Sequence, residues 1–138
     1  MKKNLIAALT LGLLLAAPAL AQTVSMKVNV PFDFIVNGKT LPAGEYRGDA
    51  ISTSTGTIAI RNSEKAAKIL ALTNGRESLE ASETSKLVFH RYGSQYFLAQ
   101  VWSAGNSEGR ELPRSRAERE VASNNQPAAQ LVAIAALK

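Results

Sequence analysis

The 138-residue sequence predicts an all-β fold. The expected architecture is a small antiparallel β-sandwich or barrel of about six or seven strands, with one short helix towards the C-terminal side. Three observations carry this. Several short runs alternate apolar and polar residues, the period of a half-buried strand. Turn signals of Gly, Pro and Asn recur roughly every eight to twelve residues. Two apolar-aromatic runs also flank Gly93-Ser94, the pattern of a hairpin buried on both faces.

Residues 1–21, MKKNLIAALTLGLLLAAPALA, stand apart from the rest. Lys2 and Lys3 precede a short apolar run, Pro18 breaks it, and Ala19-Leu20-Ala21 forms a small-x-small exit. These are the three regions of a secretory signal peptide. The run is shorter than the roughly 20 residues of a membrane span. Cleavage after Ala21 leaves 138 − 21 = 117 residues and lowers the formal net charge from +5 to 5 − 2 = +3. That charge suits solubility and lacks the clustered basic face of a nucleic-acid binder. The expected location is periplasmic, cell-surface or extracellular, with no transmembrane segment in the mature chain. With no cysteine in the sequence, disulfides, thiolate metal sites and a cysteine nucleophile are excluded.

In the expected mature chain, Val24 to Val30 alternates strictly and reads as a strand, with Val24, Met26, Val28 and Val30 on one face. Pro31 lacks a ladder donor and marks an edge or break. Phe32, Phe34 and Val36 resume the alternation up to Asn37-Gly38, a type I′ turn signal. Leu41-Pro42-Ala43-Gly44 is a second turn, and Glu45-Tyr46-Arg47 re-enters a strand. Ile51 to Gly56 reads as a turn, and Thr57 to Arg61 as a short strand. Ala66 to Thr73 has a helical composition but the length of a strand, and Asn74-Gly75 after it favours strand. Arg76 to Ser85 reads as a polar loop.

Lys86 to Trp102 is the clearest element. Gly93 suits the first central position of a II′ turn. That register pairs Tyr92 with Gln95, Arg91 with Tyr96, His90 with Phe97, Phe89 with Leu98, Val88 with Ala99 and Leu87 with Gln100. Leu87, Phe89 and Leu98 then share one face, and Val88, Phe97, Ala99 and Val101 the other. Ser103 to Gly109 reads as a loop. Ser115-x-x-Glu118 is a capping box opening a charged surface helix, with Arg114/Glu118 and Arg116/Glu120 as i,i+4 pairs. The expected organisation is one β domain over 22–122, then a linker and apolar tail over 123–138. In that tail Leu131, Ile134 and Leu137 are spaced to line a helical face.

Candidate chemistry is sparse. Histidine is the residue type suited to proton transfer near neutral pH, but no spacing ties His90 to Asp33, Asp49 or a serine, so it reads as a structural histidine. Glu77, Glu80 and Glu83 fall on the polar loop and show no carboxylate pair. No metal or phosphate-loop motif is present, and no cofactor is expected. Arg110, Arg114, Arg116 and Arg119 cluster, but three glutamates within 110–120 leave a net charge of only 4 − 3 = +1. Binding an anionic envelope partner, polysaccharide or lipid head group, is the sharper reading of that cluster, and a solvated helix face the plainer one. The contact candidates are Trp102, beside the 103–109 loop, with Tyr96, Arg110 and Arg114.

The segments VPFDFIVNGKTLPAGEY (30–46), KLVFHRYG (86–93), YFL (96–98), VW (101–102) and GRELPRS (109–115) are distinctive. On them the chain resembles a family of small, exported, uncharacterised bacterial proteins. The resemblance implies export, a compact β domain and a tail after Val121 peripheral to it. It carries no activity, cofactor or catalytic residue.

The leading expectation is a non-enzymatic binding or structural module of the cell envelope, engaging an envelope protein or polysaccharide. Its contact surfaces would be the edge near Pro31 and the 103–109 loop. A barrel carrying an apolar ligand and a carboxylate-dependent hydrolase are the alternatives.

Overall fold

The computed structural model describes residues 26–52, 56–64, 68–124 and 129–137, with backbone alone for 49–52. The expected signal peptide, the strand start at Val24 and most of the expected linker lie outside the described residues. The fold is all-β, two packed sheets and one short helix.

Among the described residues there are eleven strands rather than six or seven, because several polar or very short stretches gain strand character from their partners. The first sheet contains β1 (Met26–Val30), β4 (Gly44–Ser52), β5 (Thr57–Asn62) and β6 (Lys68–Leu72), antiparallel in that order. The second is built on β8 (Lys86–Tyr92) and β9 (Gln95–Trp102). On one side lies β11 (Gln130–Ala135) and on the other β10 (Glu108–Glu111), followed by β7 (Asn74–Glu77). The small hairpin of β2 (Phe34–Val36) and β3 (Lys39–Leu41) joins the second sheet through a parallel Ile35–Phe97 pairing with β9.

Both predicted tight turns form. Asn37 and Gly38 have φ of 50° and 75°, and Gly93 has φ of 61° while Ser94 does not turn positive. These are the I′ and II′ signatures. The stretch 68–72 is a strand, as preferred. Residues 51–52 continue β4 instead of turning. The expected loops at 76–85 and 103–109 surrender their ends to β7 and β10, whose pairing is cemented by an Arg76–Glu111 ion pair of 2.9 Å. The tail stretch 130–135 is not helical. Its six residues pair with β8, turning Val132 and Ile134 towards the core, and Leu137 N–H reaches across to the carbonyl of Lys27 on β1. The helix α1 (Arg116–Asn124) begins where the Ser115 cap predicts, Ser115 Oγ accepting from Glu118 N–H at 3.2 Å, and it runs through the expected linker start at Ser123.

The core lies between the sheets. Phe34 packs edge-on against Tyr46 and Phe89, with ring centroids 4.9 and 5.3 Å apart. Phe32 continues the aromatic chain, stacking on Tyr96. The hairpin register holds from Tyr92–Gln95 to Phe89–Leu98 and then shifts: Val88 faces Gln100 and Leu87 faces Val101. Ala99 is the extra residue of a β-bulge, and its carbonyl accepts from Leu112 N–H at 2.8 Å. The expected faces beyond this point are therefore inverted. Val101 joins Leu87 on the inner face, and Trp102 points outward, where its ring lies across Gly109.

A Cβ on Gly109 would sit 2.6 Å from two carbons of the Trp102 ring. Gly109→Ala is expected to destabilise the protein by about 1–3 kcal/mol through overpacking. Denaturant unfolding measures this, and the emission of the single tryptophan should shift to longer wavelength as the ring is pushed towards water.

Candidate functional site

A cavity of about 220 Å³ opens between the two sheets. Its walls are inward-facing side chains of both layers. Met26 and Val28 come from β1, Tyr46 from β4, Ile58 and Ile60 from β5, and Leu87 and Val101 from the β8–β9 hairpin. The strand period places them there: the cross-strand rows Met26–Gly48–Ile60 and Val28–Tyr46 all face inward. Gly48 is what leaves the space. A Cβ built on it meets nothing within 4 Å, although both its cross-strand neighbours are buried.

The more exposed lining residues form the mouth, namely Ser103, Asn106, Glu108 and Arg110. Arg110 stands opposite Val101 on one side and Gly75 on the other, so neither neighbour offers it a carboxylate. It is half-buried and has no ion pair or hydrogen bond among the described residues. Glu108 shares its face two residues away, is exposed and lies beyond ion-pair distance. A partly desolvated guanidinium above an apolar chamber attracts an anionic group attached to an apolar body.

The four sequence candidates do not converge. Arg110 borders the cavity. Trp102 lies on the opposite face of the second sheet, 7% exposed, donating from Nε1 to Gln100 Oε1 at 2.8 Å. There it helps wall a shallow groove under the 78–85 loop, which Glu77, Glu80 and Glu83 also line. Tyr96 is six residues up β9, about 20 Å away along the strand, held between Phe32 and the Arg91 guanidinium. Arg114 is exposed at the approach to α1, 3.8 Å from Glu118. Gly48, Tyr46 and the apolar walls carried no chemical signature in the sequence. Their alternation was visible, but the hollow between them was not.

His90 does have a partner. Glu118, expected on a solvated helix face, is buried at 4% exposure and aims back at the sheet. Its Oε1 lies 2.6 Å from His90 Nδ1 and accepts from the Tyr92 hydroxyl at 3.1 Å. The capping box therefore forms only by half: the Glu118 side chain latches α1 onto β8 and leaves the cap. Burial raises the Tyr92 phenol above its ordinary value, and the Glu118 charge and hydrogen bond raise it further. Asp33 is likewise structural, its Oδ1 accepting from Ala43 N–H at 2.8 Å in the 42–44 turn. The Asp49 side chain lies outside the described part.

Among the described residues no group of three or more His, Asp or Glu is placed to hold a metal ion. None of their helices is long and apolar enough to cross a membrane. No protein-family model, curated protein or solved structure matches this chain.

The latch has measurable consequences. Glu118→Ala strands a histidine and a phenol in the interior and should cost about 3 kcal/mol in denaturant unfolding. Because the folded phenol of Tyr92 titrates above the unfolded one, its contribution is fully present below about pH 10 and is lost as pH climbs through the raised value. Glu118→Gln removes the charge contribution and should move the Tyr92 titration, followed by tyrosinate absorbance, back towards the ordinary range.

Proposed function

We propose that this is an exported, non-enzymatic β domain that binds a small apolar molecule carrying an anionic group. The carrying observation is the interlayer cavity, hollow at Gly48 and bordered by Arg110, which has no partner among the described residues. Export is supported by the pattern of residues 1–21, and a bacterial envelope setting by the resemblance of segments 30–46 and 86–115. The binding-module and apolar-carrier readings merge at this site, since the 103–109 loop, expected as a contact surface, supplies part of its mouth.

Size narrows the ligand. At about 220 Å³ the space exceeds the roughly 150 Å³ apolar cavity that takes benzene and falls short of the ~300 Å³ at which drug-sized pockets begin. A single ring or a short acyl chain fits. Its head, a carboxylate or similar anion, would meet Arg110 at the rim, while Ser103 and Asn106 supply hydrogen-bonding groups beside it. Five of the described carboxylates have structural partners. Glu45, Glu111, Glu118 and Glu120 are engaged by Lys27, Arg76, His90 and Arg116 respectively, and Asp33 by a backbone N–H.

Two variants test the reading by calorimetric titration with octanoate and with octanol. Gly48→Val fills the chamber and replaces a strand glycine. It should raise stability by about 1–2 kcal/mol and abolish binding of both probes. Arg110→Gln should weaken octanoate roughly tenfold or more and leave octanol unchanged. Unaltered octanoate affinity in Gly48→Val would remove the cavity as the binding site.

A further inference from the structure

The mouth of the interlayer cavity carries two opposite charges that do not meet. Glu108 and Arg110 stand two residues apart on β10, and both line the opening. In a strand that spacing puts their side chains on one face, with the Cα atoms roughly 6.7 Å apart. Arg110 is half-buried beside Val101, while Glu108 lies nearer the solvent and is exposed. They form no ion pair with each other, and Glu108 has no partner among the described residues. Its cross-strand neighbour on β7 is another acid, Glu77, so the sheet sets no cation against it.

A carboxylate in this place works against a ligand whose only charge is negative. It cancels the guanidinium in the summed field of the mouth, which then steers a simple anion weakly. At contact range the two charges still act separately. The other polar residues of the mouth, Ser103 and Asn106, are neutral. The opening is thus neutral overall and dipolar, positive at Arg110 and negative at Glu108. A ligand that is itself neutral overall, with an anion and a cation a short way apart, is complementary to it. An ammonium and a carboxylate on one carbon can lie between the two head groups, each making a charge-assisted hydrogen bond of about 2.8 Å. The remaining substituent of that carbon then enters the apolar chamber.

We infer that the cavity binds an apolar α-amino acid as its zwitterion, with the carboxylate on Arg110, the ammonium on Glu108 and the side chain in the chamber beside Gly48. This rests on the ligand reading proposed above and narrows it from apolar anions to amino acids. Three contacts that are not in line also select the hand of the ligand. In the mirror image, seating the side chain in the chamber puts the ammonium and the carboxylate on the wrong partners.

Calorimetric titration with octanoate and with each enantiomer of 2-aminooctanoate tests it, on the protein purified as cells process it. One enantiomer should bind the parent more tightly than octanoate does, and about fivefold more tightly than its mirror image. Glu108→Gln should weaken the preferred enantiomer about fivefold, the upper range for an exposed charge pair, and bring the two hands together. The same substitution should tighten octanoate about twofold, since it removes a like charge from the rim. Arg110→Gln should weaken all three probes. The emission of Trp102, whose ring crosses the neighbouring Gly109, should stay that of the parent in Glu108→Gln and so report an intact fold. If octanoate binds but neither enantiomer binds better, or if the preferred enantiomer is indifferent to Glu108→Gln, the inference is overturned and the cavity reading survives. If none of the three probes binds, both are overturned.

Discussion

In a β-strand successive side chains point to opposite faces, so one inserted residue inverts everything beyond it. Ala99 is that residue in β9. Without it, Trp102 would face the first sheet and its indole would occupy the space between the layers, while Val101 would face out. With it, Val101 pairs with Leu87 over the cavity and Trp102 turns away to cover Gly109. The inversion passes to β10 through its pairing with residues 100–102, and it is what brings Arg110 to the inner side and Glu111 to the outer. The bulge also divides the β9 edge. β2 joins it before Ala99 and β10 after, with Leu112 N–H satisfying the bulge carbonyl between them.

What could be read from the chain was whatever depended on neighbours in sequence. Asn37-Gly38 and Gly93-Ser94 specify their turns by backbone conformation alone, and the hairpin register follows from the second of them for its first four pairs. Ser115 caps α1 for the same local reason. Where a distant partner decides, the signal fails. The β7 sequence Asn74–Glu77 is polar and exposed throughout, and only its pairing with β10 makes it a strand. In β11 the alanines blur the period, so Leu131, Ile134 and Leu137 look helical although Val132 and Ile134 are the residues that turn inward. Glu118 looked like a surface charge because its partners, His90 and Tyr92, lie far back in the chain.

The same distinction governs the candidate site. The inward residues Met26, Val28, Ile58 and Ile60 announce themselves by alternation, but a cavity is a shortage of volume across two layers. Gly48 carries no signal in the sequence, and only its neighbours reveal it as the place where filling stops. Arg110 was singled out within a basic cluster. Its distinction from Arg114 and Arg116 lies in what faces it: they have Glu118 and Glu120, and it has Val101 and Gly75.

The two sheets divide the demands made on a small domain with no cysteine. The second is apolar on both sides of its central hairpin, with Leu87, Phe89 and Leu98 inward and Val88, Phe97 and Ala99 outward, all nearly inaccessible to water. Most of the hydrophobic stabilisation that no disulfide supplies must come from there. The inner face of the first sheet is interrupted at Gly48. A hollow lowers the stability of the layer that holds it. Such concessions are sustainable only because the neighbouring layer is over-determined, and concessions of this kind concentrate where a protein meets something else. That asymmetry places the hollow in the first sheet, the layer with less of the core to lose.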